Sequence, residues 1–310
     1  MTLFRIENKR AERVPSISFT DEKKEIQQII GNDKNMAEMF GLKFIKNELH
    51  VKNRFIDTLA YDEDTKSFVI FEYKKDRNRS VIDQGYTYLS LMLDNRSDFV
   101  LEYINNTNKV HSTKNDFDWT QSRVIFLSPE FTDYQVGATN FKDLPFKLYK
   151  IRKYKNDEVS IDEIKPTSTA PSLKSLKTGG IIEKVGDKLK VYTLDYHLEK
   201  IKDETVKERV NELRENILKI DESIKEYYIK NLIKYKTTVV FCSIDCKPKH
   251  FWVYVERLNR KELNEEALKE RGLDIRPHAN DEFLTSIRIE GDFDLNSLLN
   301  LVKRAYKSTL

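Results

Sequence analysis

The stretch RFIDTLAYDEDTKSFVIFEYKK, residues 54–75, constrains this chain more than any other. Two runs rich in β-branched and aromatic residues flank the polar DEDT, the pattern of an antiparallel hairpin. Each run nevertheless carries an acid where an apolar residue is expected: Asp57 in the first and Glu72 in the second, with Lys74 two positions further on. If the arms fold about Asp64 and Thr65, positions equidistant from that tip pair with one another, and residue 57 falls opposite residue 72. Directly opposed side chains share a face, with Cβ atoms about 4.5–5.5 Å apart. Lys74 then lies on that face as well.

Two carboxylates so placed on a largely apolar sheet repel each other and lose solvation. The arrangement becomes favourable when a cation lies between them or a proton is shared. A hard divalent ion such as Mg²⁺, with Mn²⁺ as a substitute, suits one or two carboxylates plus water and a phosphate. Beside it, Lys74 would position a water or stabilise charge on phosphorus. That is the equipment for phosphodiester hydrolysis. The plainer account is a surface pair between Glu72 and Lys74 on exposed strands, and a one-residue slip in register would put the two acids on opposite faces.

The surrounding chain divides in two. Residues 165–180, KPTSTAPSLKSLKTGG, have linker composition. The expected domains are therefore 1–164 and 181–310. Before the linker, DEKKEIQQII and NMAEMF read as helices. LKFI, the two arms, SRVIFL (122–127) and FKLYKI (146–151) read as strands, and helices are expected near 80–94 and 97–105. This order predicts an α/β domain with a mixed sheet flanked by helices. After the linker, Val206, Val210, Leu213, Ile217 and Ile220 keep a helical period. TTVVFCSI, HFWVYVERL and FLTSIRIE read as strands, and a closing helix is capped by Asp294, giving a smaller α+β domain.

The spacing D-x14-E-x-K on consecutive antiparallel strands resembles the motif of the PD-(D/E)XK nuclease superfamily, with Ile56 where that motif has proline. The resemblance implies a restriction-endonuclease-like fold, with Asp57 and Glu72 as metal ligands and Lys74 as the third catalytic residue. It also implies a further acid from the first helix, where Glu22 and Glu25 are available. At roughly 100° per residue, Glu22 projects near the centre of the Ile26/Ile29/Ile30 face and Glu25 lies to its side, although acids at a helix start are favoured in any case. Gln84-Gly-Tyr-Thr-Tyr88 resembles the QxxxY element of the exonuclease-like branch, and its Gln and Tyr share a helix face. The phrase ID-LA-D…VI-EYKK followed by VI-QG-Y-YL resembles bacterial and archaeal members in which a nuclease-like domain precedes a C-terminal domain of unknown function.

Charge adds little, since 54 Lys and Arg offset 51 Asp and Glu, so any basic surface is local. Lys75, Arg77 and Arg79 follow the second arm and suit phosphate contacts, and Arg54 leans the same way. Lys150, Arg152, Lys153 and Lys155 alternate along a strand, for which a charged sheet edge is sufficient explanation. His197, His250 and His278 stand apart without ligand or triad spacing. Cys242 and Cys246 read as small buried residues. The opening MTLFRIENKRAERV has no apolar core of a signal peptide, and no apolar run is long enough to span a membrane. The expectation is thus a cytoplasmic, Mg²⁺-dependent nuclease acting on DNA. It has no membrane partner, and the C-terminal domain is available for nucleic acid, a partner or self-association into a homo-oligomer. The alternative is a catalytically silent nucleic-acid-binding or regulatory protein on the same scaffold. A third reading, a transport or small-ligand role for the second domain, has no motif behind it.

Overall fold

The computed structural model describes residues 3–73, 80–107, 109–155, 157–172, 185–186, 188–276 and 283–310, apart from the side chain of Glu22. Lys74, Lys75, Arg77, Arg79 and His278 lie outside them. The chain forms two units, Met1–Val191 and Tyr192–Leu310. The break falls later than composition suggests because Val185 and Leu189 are buried in the core of the first unit.

The first unit opens with a hairpin, β1 (Leu3–Glu7) and β2 (Arg10–Val14), then β3 (Ser16–Ile17), α1 (Glu22–Ile30) and α2 (Asp33–Phe40). There follow β4 (Lys43–Val51), β5 (Arg54–Asp62), β6 (Ser67–Tyr73), α3 (Val81–Asp94) and α4 (Arg96–Thr107). Finally come β7 (Arg123–Ser128), α5 (Asp133–Ala138), β8 (Phe146–Tyr154) and β9 (Val159–Ile164). The main sheet runs β3-β8-β7-β6-β5-β4, with β9 also on β8. The β6–β7 and β7–β8 pairs are parallel and the rest antiparallel. This is the expected mixed sheet between two helical layers.

Side-chain alternation fixes the layers. Phe68 and Ile70 of β6 join α3 and α4 in one core, while Val69, Phe71 and Tyr73 join α1 and α2 in another. Both faces of the central strands are therefore dry. Two readings of this region need correction. FKLYKI does not form a sheet edge, because β8 is flanked by β7 on one side and by β3 and β9 on the other. Three of the strand's charges are paired locally: Lys147 with Glu163 at 3.1 Å, Arg152 with Asp162 at 3.0 Å and Lys153 with Glu25 at 2.9 Å. Strands β1, β2 and β9 were not anticipated, since their short, charge-rich sequences lack apolar alternation.

The second unit contains α6 (Leu194–Leu198), α7 (Glu204–Leu218), β10 (Lys225–Tyr228), β11 (Ile233–Lys236), β12 (Val240–Cys246) and β13 (Phe251–Glu256). It ends with α8 (Glu265–Glu270), β14 (Asp274–Arg276), β15 (Leu284–Ile289) and α9 (Leu295–Lys307). Its antiparallel sheet, ordered β10-β11-β12-β13-β15-β14, shares one apolar core with α7 and α9. Asp294 caps α9 as expected, accepting from the backbone N–H groups of Asn296 and Ser297. Cys242 and Cys246 are free and buried, and burial pushes both thiols up. Among the described residues no helix is long and apolar enough to cross a membrane.

A candidate carboxylate site at the end of the β5–β6 hairpin

The hairpin register is the one the Asp64–Thr65 tip dictates, running from Asp62 opposite Ser67 to Thr58 opposite Phe71. Asp62 closes the turn. Its carboxylate accepts from the N–H groups of Asp64 (3.0 Å) and Thr65 (3.1 Å) and pairs with Arg123 at 2.6 Å. One step beyond Thr58 and Phe71 the ladder gives way. Instead of a backbone pair between 57 and 72, the Oδ2 atom of Asp57 accepts the N–H of Tyr73 at 2.9 Å.

The two acids are then held by helices from opposite faces of the sheet. Gln84 and Tyr88, one turn apart on α3, grip Glu72: Gln84 Nε2 donates to Oε1 at 2.5 Å and Tyr88 Oη to Oε2 at 2.8 Å. From α1, Lys23 Nζ reaches Asp57 Oδ1 at 2.6 Å, and Gln27 Nε2 donates to the Asp57 carbonyl at 2.8 Å. Lys23 and Gln27 are also one turn apart, on the flank of the stripe that buries Ile26 and Ile30. A second chain of bonds fixes this end of the sheet. Tyr73 Oη donates to Thr58 Oγ1 (2.8 Å), Thr58 Oγ1 to Asn47 Oδ1 (2.6 Å), and Asn47 Nδ2 to the Gly31 carbonyl (2.8 Å).

A third carboxylate lies alongside. Asn47 pairs with Thr58 and Leu49 with Ile56, which sets Glu48 across from Asp57. Glu48 has φ of 51°, in the left-handed region that non-glycine residues rarely occupy. Such conformations persist where the surroundings enforce them.

Burial and mutual charge shape the protonation of these groups. Burial pushes the Asp57 carboxyl up despite its bonds to Lys23 and Tyr73, and the charge of Glu48 adds to the rise. Burial and then the charge of Asp57 lift Glu72 to about 7, against the opposing bonds from Tyr88 and Gln84. Burial pulls the Lys23 ammonium down, but its bond to Asp57 and the charges of Asp57, Glu48 and Glu72 outweigh that and raise it overall.

The anticipated residues divide accordingly. Asp57, Glu72, Gln84 and Tyr88 come together. Glu25 is engaged elsewhere: it accepts from the N–H groups of Thr20 and Asp21 and pairs with Lys153, whose bond is the main cause holding its carboxyl down at about 2. Among the described side chains α1 brings Lys23 and Gln27 to Asp57; the side chain of Glu22, the acid expected there, is not among those described. Arg54 is exposed at the start of β5. Lys74, Lys75, Arg77 and Arg79 lie outside the described residues. Lys23, Gln27 and Glu48 were missed. The two-residue turn at Lys52-Asn53 places Glu48 opposite Asp57, and was the available signal for it.

The donor set is all oxygen and carries surplus negative charge, which is what a hard divalent ion takes. Gln84 adds a buried Oε1 without a hydrogen-bond partner. Asp57 and Glu72 therefore fit such an ion chemically. Among the described residues, however, no three His, Cys, Asp or Glu side chains cluster closely enough to hold a metal by themselves.

No known protein-family profile matches the chain. An uncharacterized protein of Haemophilus influenzae is 35% identical over 286 residues, covering 92% of each chain. The chain belongs to the same family as that protein. Among solved structures, a repair endonuclease from Pyrococcus abyssi aligns with 38% of this chain and 42% of its own, at 19% identity and a TM-score of 0.21.

Proposed function

We propose that the protein is a metal-dependent nuclease of the PD-(D/E)XK type that hydrolyses phosphodiester bonds in DNA. The observation that carries this reading is the junction of Asp57 and Glu72 at the end of one hairpin, with Glu72 gripped by Gln84 and Tyr88. Asp57 and Glu72 would hold Mg²⁺ or Mn²⁺, which supplies Lewis acidity toward a phosphate and a more acidic bound water. The chain's own contribution is positional. The N–H of Tyr73 fixes one oxygen of Asp57, and Gln84 and Tyr88 orient both oxygens of Glu72 as positioning residues. Lys74, by its place in the motif, supplies charge next to Glu72. Lys75, Arg77, Arg79 and Arg54 are the proposed phosphate contacts. On this reading the protein works in the cytoplasm, and the second unit serves nucleic-acid contact or self-association.

The test is cleavage of linear, circular, single-stranded, branched and RNA substrates with Mg²⁺ or Mn²⁺. Asp57→Asn and Glu72→Gln are expected to abolish cleavage while the circular dichroism spectrum is retained. Cleavage by Glu72→Gln at the wild-type rate would overturn the proposal. One observation favours a second reading, a silent nucleic-acid-binding protein on this scaffold: Lys23 already supplies Asp57 with a counter-charge from within the chain. Binding of the same substrates with no metal-dependent cleavage of any would support that reading.

A further inference from the structure

Asp57 is held in an asymmetric way. Its Oδ2 is committed to the backbone of Tyr73, which keeps the carboxylate in place whatever else binds. Its Oδ1 meets Lys23 Nζ at 2.6 Å. The Asp57 side chain is 3% exposed, while that of Lys23 is 42% exposed, so the ammonium reaches in from solvent on a flexible stem. Glu72, by contrast, is held by two neutral donors, an amide and a phenol. Among the described residues Lys23 is thus the only ion-pair partner of either acid.

We infer that Lys23 is a built-in competitor of the divalent ion, occupying Asp57 Oδ1 in the metal-free protein and swinging outward when the ion binds. This rests on the metal-site reading above. Two cations bound to the same carboxylate oxygen come no further apart than the sum of their distances to that atom. With Asp57 almost fully buried, charges so close on its oxygen repel each other more than they would in bulk water. The neutral grips on Glu72 need not move, and neither does Tyr73, so the exchange falls on one side chain. Glu48, exposed and across the strand pair from Asp57, offers the displaced ammonium an alternative partner. Lys23 is then a positioning residue that tunes metal affinity and keeps the acid pair compensated until a metal arrives.

The experiment is calorimetric titration of the full chain with Mn²⁺ and Mg²⁺, comparing wild type with Lys23→Met, Lys23→Arg and Asp57→Asn. Thermal unfolding with and without metal provides a second readout. Lys23→Met is expected to bind metal roughly tenfold more tightly, between the few-fold effect of an exposed ion pair and the larger effect of a desolvated one. Its melting temperature should also rise more on adding Mn²⁺. Lys23→Arg retains the charge and should restore wild-type affinity, and Asp57→Asn should abolish binding. Should Lys23→Met misfold by circular dichroism, Lys23→Gln carries the same expectation. Equal or weaker metal binding by Lys23→Met, with Asp57→Asn still abolishing it, would overturn the competitor role and leave the metal site standing. If wild type and Lys23→Met both bind no better than Asp57→Asn, the metal site itself fails, and this inference with it.

Discussion

Glu72→Gln is expected to make the metal-free protein more stable at pH 8 and to change its stability little at pH 5. Glutamine reproduces the shape and neutrality of the protonated acid, so it can still bond to Gln84 and Tyr88. In the unfolded chain Glu72 titrates near its ordinary 4.5, whereas burial and the neighbouring Asp57 lift it to about 7 in the native state. Between those values the native state binds more protons than the unfolded state. The stability of the wild type therefore falls as pH rises from about 4.5 to about 7, and is level beyond. At about 1.36 kcal/mol per pH unit, the loss accumulated by pH 8 is on the order of 3 kcal/mol. The variant escapes it. Because Asp57 and Glu72 titrate together, the wild-type profile belongs to the pair. Urea unfolding of both proteins at pH 5 and pH 8, with a chelator present, measures the difference directly. A Glu72→Gln protein no more stable than wild type at pH 8, or a difference that ignores pH, would refute the reasoning.

Other parts of the frame give further tests. Asp62→Ala removes an almost buried carboxylate that closes the hairpin turn and leaves Arg123 without that bond. Urea unfolding should show a loss of about 3 kcal/mol or more, with Asp62→Asn intermediate. Gly85→Ala places a Cβ 2.5–2.8 Å from ring atoms of Phe146, so the net loss should be about 1–2 kcal/mol after the gain in helix propensity. Burial holds the fully enclosed His197 down at about 4. As pH falls from about 6.5 to 4 the unfolded chain takes up a proton that the native state refuses, and stability drains over that window. His197→Leu should shift acid unfolding, followed by circular dichroism, to lower pH.

Much of the site was legible because it depends on short-range rules. The DEDT turn determined the hairpin register, and helical spacing put Gln84 and Tyr88 on one face. Those two inferences are local, and the structure follows them. The first-helix residue was not legible in the same way. Periodicity marks the apolar stripe of α1, but Lys23 and Gln27 reach Asp57 from its flank. Which flank meets Asp57 depends on how α1 seats on the sheet, a tertiary property absent from periodicity. The step at 57 and 72 was also hidden. Alternation predicts two opposed side chains, whereas the paired register ends at Thr58 and Phe71 and the Asp57 carboxylate accepts the N–H of Tyr73. Strands β10, β11 and β14 escaped for a different reason, being three or four residues long.

The protonation of the acid pair and the rigidity around it belong to one design. A buried carboxylate lifted to about 7 weakens the native state unless something else holds the strands that carry it. Here that support surrounds the site without neutralising it. Asp62 and Arg123 lock the closed end of the hairpin, and Tyr73, Thr58 and Asn47 tie the open end to the C-terminus of α1. Of the described groups, only Lys23 neutralises Asp57 directly, through a half-exposed side chain. If the pair served only to hold the fold together, a more buried and less mobile partner such as Arg123 beside Asp62 would serve better. Asp62 and Asp57 differ in this respect within a single hairpin: one acid is closed off by a fixed guanidinium, and the other is left with a partner that can leave.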